Sequence, residues 1–367
     1  MINRRIILNY TQNRRYYKMK KIMTIVGVVA LAAACVGCGN NEEPKKPAET
    51  TTAVPSPTGI PDTATPTPTE VPATPTEAPT NTPTPTPAPD ENGMYVKCPS
   101  NYLVKRAGVE YGSFVHGTYY SEYCGRERGY TVMLPPGYTE EKKYPVIYLL
   151  HGIFGDENSF AGDASNQIPA LIGNMIADGL CEEFILVCPA MFAASDETVQ
   201  APGFTGEAMI PYDRFPKELV DCLIPHIDAT YSTITGREGT AIAGFSMGGR
   251  ETLYTLLQYP DRFRYVCAIA PAPGLVPGVD MYMTHPGSLQ EDEVRIAEGM
   301  KVPEKVIICC GTSDSVVGKF PKSYHELFEK NDIAHIWYEV PGADHDNTTI
   351  RSGLFNLLNT VEFTGEE

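Results

Sequence analysis

The sequence predicts an α/β fold, a mostly parallel central sheet flanked by helices, preceded by a disordered Pro/Thr-rich linker. Three observations carry this reading. From about Gly93 to Phe363, short apolar runs alternate with segments of helical periodicity. One such run, Thr240–Gly244, leads directly into Gly244-Phe245-Ser246-Met247-Gly248 and then into a helix-periodic stretch. Upstream, from about Asn40 to Asn92, Pro, Thr, Ala and Glu dominate, and such a segment cannot bury enough apolar surface to fold.

Residues 1–38 read as a signal segment. Met19-Lys20-Lys21 gives a short positive region, and residues before Met19 read as an upstream extension, so Met19 is a second candidate start. The apolar run Ile22–Ala34 is too short to span a bilayer comfortably. The segment resembles a bacterial lipoprotein signal, in which a Cys after the apolar run is lipidated and becomes the mature N-terminus. Cys38, followed at once by polar residues, is the expected lipidation site and Cys35 the alternative. Neither has Leu three positions before it. An ordinary secretory signal or an uncleaved anchor are the rival readings. The expected location is extracytoplasmic: a cell-surface lipoprotein of a bacterium, or a secreted protein, with membrane contact only through the N-terminal lipid or signal segment. Residues 39–92 then form an extended spacer, either a stalk or a linker of no specific role. The single globular domain is expected over 93–367.

Within that domain Tyr130–Leu134, Val146–Leu150, Phe184–Pro189 and Thr240–Gly244 read as strands, followed by YVCAIA, KVIICC and HIWYEV. Helical spacing links Phe215, Leu219, Cys222, Leu223, Ile227 and Tyr231. Further helices are expected over RETLYTLLQY, Lys322–Asn331 and Ser352–Thr360. The net charge of −16 argues against nucleic acid as a partner, because phosphate binding needs a basic patch. Of the ten cysteines, Cys188, Cys267, Cys309 and Cys310 lie in apolar runs, where Cys acts as a small hydrophobe. No Cys/His spacing suggests zinc. Cys98 and Cys124 are candidates for a disulfide outside the cytoplasm.

The Gly244–Gly248 motif matches the nucleophile elbow of α/β-hydrolases, G-x-S-x-G. A strand must turn sharply into a helix there, and glycines at 244 and 248 let the two approach without a side-chain clash. A serine hydroxyl needs a base. Four His follow Ser246, and His345 in PGADHDN sits between the last strand and the last helix, where a loop can return over the elbow. His325 and His335 read as structural, and His285 lies in an inserted stretch, Gly274–Gly299. The acid should orient the imidazole and stabilise its charge. Asp314, in the turn GTSDS after KVIICC, suits that role, with Asp280 as a weaker alternative and Asp344 and Asp346 as loop-orienting neighbours of His345. An oxyanion needs backbone donors. The amides of Met247 and of Ile153, in His151-Gly152-Ile153-Phe154-Gly155, are the candidates, and His151 reads as a structural loop residue.

These residues together resemble the carbohydrate esterase family of bacterial feruloyl and acetylxylan esterases, also described as esterase D-like or antigen-85-like. The likeness covers nearly the whole globular part. It is carried by GTYYSEYCGRERGYTVMLPPGYTEEKKYPVIYLLHGIFGDENSF, AIAGFSMGG, CCGTSDSVVG and VPGADHDN. The resemblance implies an α/β-hydrolase that cleaves an ester on a plant cell-wall polysaccharide such as xylan, with its triad on Ser246, Asp314 and His345. It implies no metal or organic cofactor. Phe154, Phe192 and Phe204, with Met247, are candidates to line an aromatic acyl pocket, each with a plain core role as its rival. Residues 193–209 and the insertion near 280–299 match no family motif, which leaves substrate choice open. Feruloyl is the expected acyl group. The alternatives are an acetylxylan or general carboxylesterase, an acyltransferase, and a non-catalytic glycan-binding surface lipoprotein.

Overall fold

The computed structural model describes Met94 and residues 97–363. The signal segment, Cys35, Cys38 and the Pro/Thr-rich segment lie outside the described residues.

An antiparallel pair opens the fold, β1 (Phe114–Ser121) and β2 (Arg126–Met133). Then follow β3 (Val146–Leu150), α1 (Ile168–Ala177), β4 (Ile185–Pro189) and α2 (Gly206–Asp213). A helical run comes next, α3 (Phe215–Glu218) and α4 (Ile224–Thr230) joined by a π-helical turn over Leu219–Leu223. The second half holds β5 (Thr240–Phe245), α5 (Met247–Gln258) and β6 (Tyr265–Ile269). A small hairpin of β7 (Gly278–Val279) and β8 (Thr284–His285) precedes β9 (Lys305–Gly311), α6 (Phe320–Lys330), β10 (Ile336–Val340) and α7 (Asn347–Thr360).

The main sheet has the order β1-β2-β4-β3-β5-β6-β9-β10. From β4 to β10 every neighbouring pair is parallel. All five residues of β3, β4 and β6 are buried, as strands covered on both faces must be. Alternation along each strand sorts side chains onto the two faces. Val146, Tyr148 and Leu150 face one core, with Tyr212, Phe215, Leu253 and Phe328 from the helices. Ile147 and Leu149 face the other, with Leu171 of α1 and Leu354 and Phe355 of α7.

That sorting overturns the disulfide expectation. Cys98 sits in the second core and Cys124 in the first, so the sheet stands between them. Both are free and buried. Cys98 instead takes its place beside α7, its amide donating to Ser352 Oγ at 3.1 Å.

The winding reverses between β3 and β5. From β3 the chain steps to β4 on one side, and from β5 it steps through β6, β9 and β10 on the other. In open α/β sheets such a switch point leaves a crevice beyond the carboxyl ends of the strands. The segments that follow β3, β5, β9 and β10 carry His151–Gly155, Ser246, Asp314 and His345.

Candidate active site

Ser246 stands between β5 and α5 with φ 59° and ψ −117°, a left-handed backbone that a non-glycine residue rarely adopts. Its amide donates to the Ile269 carbonyl at 3.0 Å, and its own carbonyl accepts from Ala272 at 2.9 Å and Arg250 at 3.0 Å. The surrounding structure thus over-determines the strained turn. The glycines follow from close approach. A Cβ at Gly244 would lie 2.1 Å from the Gly248 carbonyl oxygen, and one at Gly248 2.3 Å from that of Leu150. Met247 is the first residue of α5, where helical amides have no partner within the helix and the dipole favours negative charge.

Asp314 follows β9. Its Oδ1 accepts the amides of Val316 at 3.0 Å and Val317 at 2.9 Å, and its Oδ2 meets His345 Nδ1 at 2.8 Å. Burial pushes its carboxyl up, but the His345 bond and charge and the two amides outweigh that and hold it below the usual carboxylate range. The His345 ring packs against Phe245, next to the nucleophile, with centroids 4.4 Å apart. Asp344 accepts the His345 amide at 2.7 Å and the Ser315 amide at 2.7 Å, which ties the histidine loop to the acid turn. Asp346 caps α7 by accepting the amides of Thr348 and Thr349. Neither neighbour contacts the imidazole in place of Asp314.

Directly before Gly152, His151 is buried. Its Nδ1 meets the Gly152 carbonyl at 2.7 Å, and its Nε2 accepts the Met191 amide at 3.2 Å. Burial drives its pKa down to about 4, against the raising effect of the Gly152 bond. His325 and His335 are paired at 2.8 Å, and His325 stacks on Trp337, away from the elbow.

Ser246, Met247 and Ile153 share a cleft of about 80 Å³ whose other walls are largely apolar, including Met209, Phe204, Tyr282 and Val317. Phe204 therefore stands where the sequence suggested. Phe154 reaches the cleft edge through its ring, which meets Phe204 edge-on at 5.1 Å. Phe192 does not belong to this set. It lies outside the cleft lining because its ring is buried in the core against Tyr212, ring centroids 5.1 Å apart.

Sequence reasoning missed Tyr282, which stacks on Phe204 at 4.6 Å. It also missed a second carboxylate–imidazole pair, Asp280 Oδ2 to His285 Nε2 at 3.0 Å, lining the same cleft. The only signal was turn chemistry: Asp280 accepts the amides of Tyr282 and Met283, a loop pattern readable from an Asp before a short apolar stretch. Among the described residues no cluster of His, Cys, Asp and Glu could hold a metal ion, and no helix is long and apolar enough to cross a membrane.

Comparison with known proteins bears on the family and the fold. The family model described as "Putative esterase" matches residues 121–331. The CE1 ferulic acid esterase of Anaeromyces mucronatus, solved with ferulic acid, is 45% identical with a TM-score of 0.68. That match covers 73% of this chain and 97% of that one. The feruloyl esterase module of Clostridium thermocellum shares the fold, with a TM-score of 0.54 at 22% identity over 72% of this chain and 93% of that one. An endo-1,4-beta-xylanase/feruloyl esterase of Xylanibacter ruminicola is 28% identical over 223 residues, which is 59% of this chain and 27% of that protein. Endo-1,4-beta-xylanase Y of Acetivibrio thermocellus is 30% identical over 183 residues, 47% of this chain and 15% of that protein. The chain thus spans about a quarter or less of the curated relatives it matches. It belongs to the Esterase family of serine carboxylic-ester hydrolases, within the CE1 carbohydrate esterases, on an α/β-hydrolase fold.

Proposed function

We propose that the chain removes feruloyl groups ester-linked to plant cell-wall polysaccharide, xylan foremost, through an acyl-enzyme on Ser246. The observation that carries this reading is Asp314 bonded to His345 Nδ1 beside the strained elbow, an arrangement that leaves Nε2 as the proton acceptor. The feruloyl assignment is supported by the likeness to the Anaeromyces mucronatus enzyme.

In this mechanism His345 Nε2 takes the Ser246 hydroxyl proton as Oγ attacks the ester carbonyl. The Met247 and Ile153 amides hold the oxyanion. The intermediate collapses, His345 gives its proton to the departing sugar oxygen, and the acyl-enzyme remains. Water then attacks with His345 as base, and the carboxylic acid leaves as Ser246 regains its proton. Each oxyanion donor contributes on the order of 3 kcal/mol in comparable sites.

One observation favours a second reading, an acetyl group. The cleft volume is about 80 Å³, and a cavity of about 150 Å³ is what a benzene ring occupies. A feruloyl ring would have to lie partly on the Phe204 and Tyr282 rim. A side-by-side assay of methyl ferulate and acetylated xylan, with Ser246→Ala as control, separates the readings. Faster turnover of methyl ferulate is expected. Activity on short generic esters alone would defeat the cell-wall reading, and equal rates for Ser246→Ala would defeat the enzyme reading.

The signal-like segment and Pro/Thr-rich spacer support export and lipidation at Cys38 as part of the same proposal. Radiolabelled palmitate should enter the expressed chain and be lost in Cys38→Ser; retained label would move the site to Cys35 or elsewhere.

A further inference from the structure

We infer that His151 is a positioning residue for the oxyanion hole: its Nδ1–H pins the Gly152 carbonyl and thereby aims the Ile153 amide at the Ser246 side of the loop. The inference rests on the ester-hydrolase reading above and adds to it a residue that touches neither substrate nor nucleophile.

The partners fix the tautomer. The Gly152 carbonyl can only accept, so Nδ1 carries the hydrogen; the Met191 amide can only donate, so Nε2 carries the lone pair. Gly152 C=O and Ile153 N–H belong to one planar trans peptide and point in opposite directions. Holding the carbonyl toward the interior therefore turns the amide outward. Gly152 already lies against the nucleophile: a Cβ there would be 3.5 Å from Ser246 Cβ and 3.9 Å from Oγ.

The two amides that follow are occupied. Phe154 N–H donates to Tyr212 Oη at 3.2 Å, and Gly155 N–H donates to the Gly152 carbonyl at 3.2 Å. Ile153 N–H donates to no protein group among the described residues, and Ile153 lines the cleft with Ser246 and Met247. Of the three amides from Ile153 to Gly155, that of Ile153 is thus the one left free among the described residues.

The imidazole is itself held from behind. Arg128, buried beside Glu218, donates to the carbonyls of Phe192 at 2.7 Å and of Ala190. Those two carbonyls flank Met191, whose amide engages Nε2. Burial keeps the ring neutral at working pH, so it cannot invert its donor pattern by taking up a proton.

The test uses three substitutions that stress the same buried position. In His151→Asn the amide nitrogen falls near Nδ1 and can still donate to Gly152. In His151→Gln the amide reaches toward Nε2 and Met191 instead. His151→Leu does neither. We expect His151→Leu and His151→Gln to lower kcat on methyl ferulate or nitrophenyl acetate by roughly a hundredfold with KM little changed. Affinity for a boronic acid, which forms a tetrahedral adduct on Ser246, should fall in parallel, while affinity for free ferulate holds. His151→Asn should recover most of both. Equal kcat for the Asn and Gln variants, or a loss confined to KM, would overturn the inference. Nitrogen-15 chemical shifts of the wild-type imidazole test it without any variant. Nδ1 should be protonated and Nε2 bare between about pH 5 and 8, and an Nε2–H form would sink it. A wild-type chain that hydrolyses no ester defeats the functional reading, and the tautomer measurement then still decides the role of His151 in the loop.

Discussion

Two carboxylate–imidazole pairs stand near the elbow, one in the wall of the Ser246 cleft and one beside Phe245, and they are wired oppositely. Asp314 engages His345 through Nδ1, at 2.8 Å, and leaves Nε2 unspent. Asp280 engages His285 through Nε2, at 3.0 Å. The remaining Nδ1 of His285 sits beside Gly274 in company with the Arg250 guanidinium: a Cβ at Gly274 would lie 3.0 Å from His285 Nδ1 and 2.9 Å from Arg250 Nη1. Arg250 is in turn held by Asp213 and Glu251. Residue types and distances are nearly the same in the two pairs. What differs is which ring nitrogen is consumed, and a base needs the outer one free. In the proposed mechanism the first pair serves proton transfer, whereas the second fastens the β7–β8 hairpin and its buried neighbours.

The largest effect should separate the pairs. Asp314→Asn removes the charge that stabilises the imidazolium and offers His345 an amide that favours the wrong tautomer. It should cost about 10⁴-fold in kcat. Asp280→Asn should cost no more than roughly tenfold, because it loosens a hairpin and leaves the triad intact. Parallel kinetics of the two variants on nitrophenyl acetate decide the matter. A comparable collapse in Asp280→Asn would return that residue to the acid role the sequence left open to it.

A third imidazole, that of His151, sharpens the contrast because it is buried in the interior. Burial lowers its folded pKa to about 4 from an ordinary 6.5. The unfolded chain takes up a proton below about 6.5 while the folded chain resists until about 4. Stability is therefore full above that window and falls as pH drops through it, by on the order of 3 kcal/mol from this group. Urea unfolding of wild type and His151→Asn at neutral and acid pH measures the difference. If the two lose equal stability between those pH values, His151 is not the source of the slope.

Much of this was legible in the residues because periodicity and strand-end loops report it. The buried strands β3, β4, β6 and β9 are continuous apolar runs, and Ser246, Asp314 and His345 each follow the carboxyl end of a strand. β1 was not readable by pattern: it is an edge strand with four exposed positions among its eight. α1 was missed for the opposite reason. It is buried at seven of ten positions, so it lacks the polar face that marks a surface helix. Phe192 and the Cys98/Cys124 pair failed because all three lie outside the strands, where long-range packing and not a local period decides which core a side chain joins. The Asp280–His285 pair hid in a hairpin with two residues per strand, too short for any period.

The rim offers the smallest and most selective test of the difference between fixed centre and fastened hairpin. Phe154, Phe204 and Tyr282 come from three separate loops, stack in sequence, and remain about two-fifths exposed. The hairpin supplies Tyr282, and the Asp280–His285 bond sets where that ring can stand. A stacked aromatic contact adds about 0.5–1.5 kcal/mol beyond its buried area. Tyr282→Ala should therefore raise KM for methyl ferulate by about two- to tenfold and leave kcat/KM for nitrophenyl acetate near the wild-type value. Phe204→Ala, which removes the ring that both others touch, should do so more strongly. Equal penalties on the aromatic and the acetyl ester would mean that the rings brace the oxyanion loop rather than receive the acyl group, and the hairpin would then belong to the fixed centre after all.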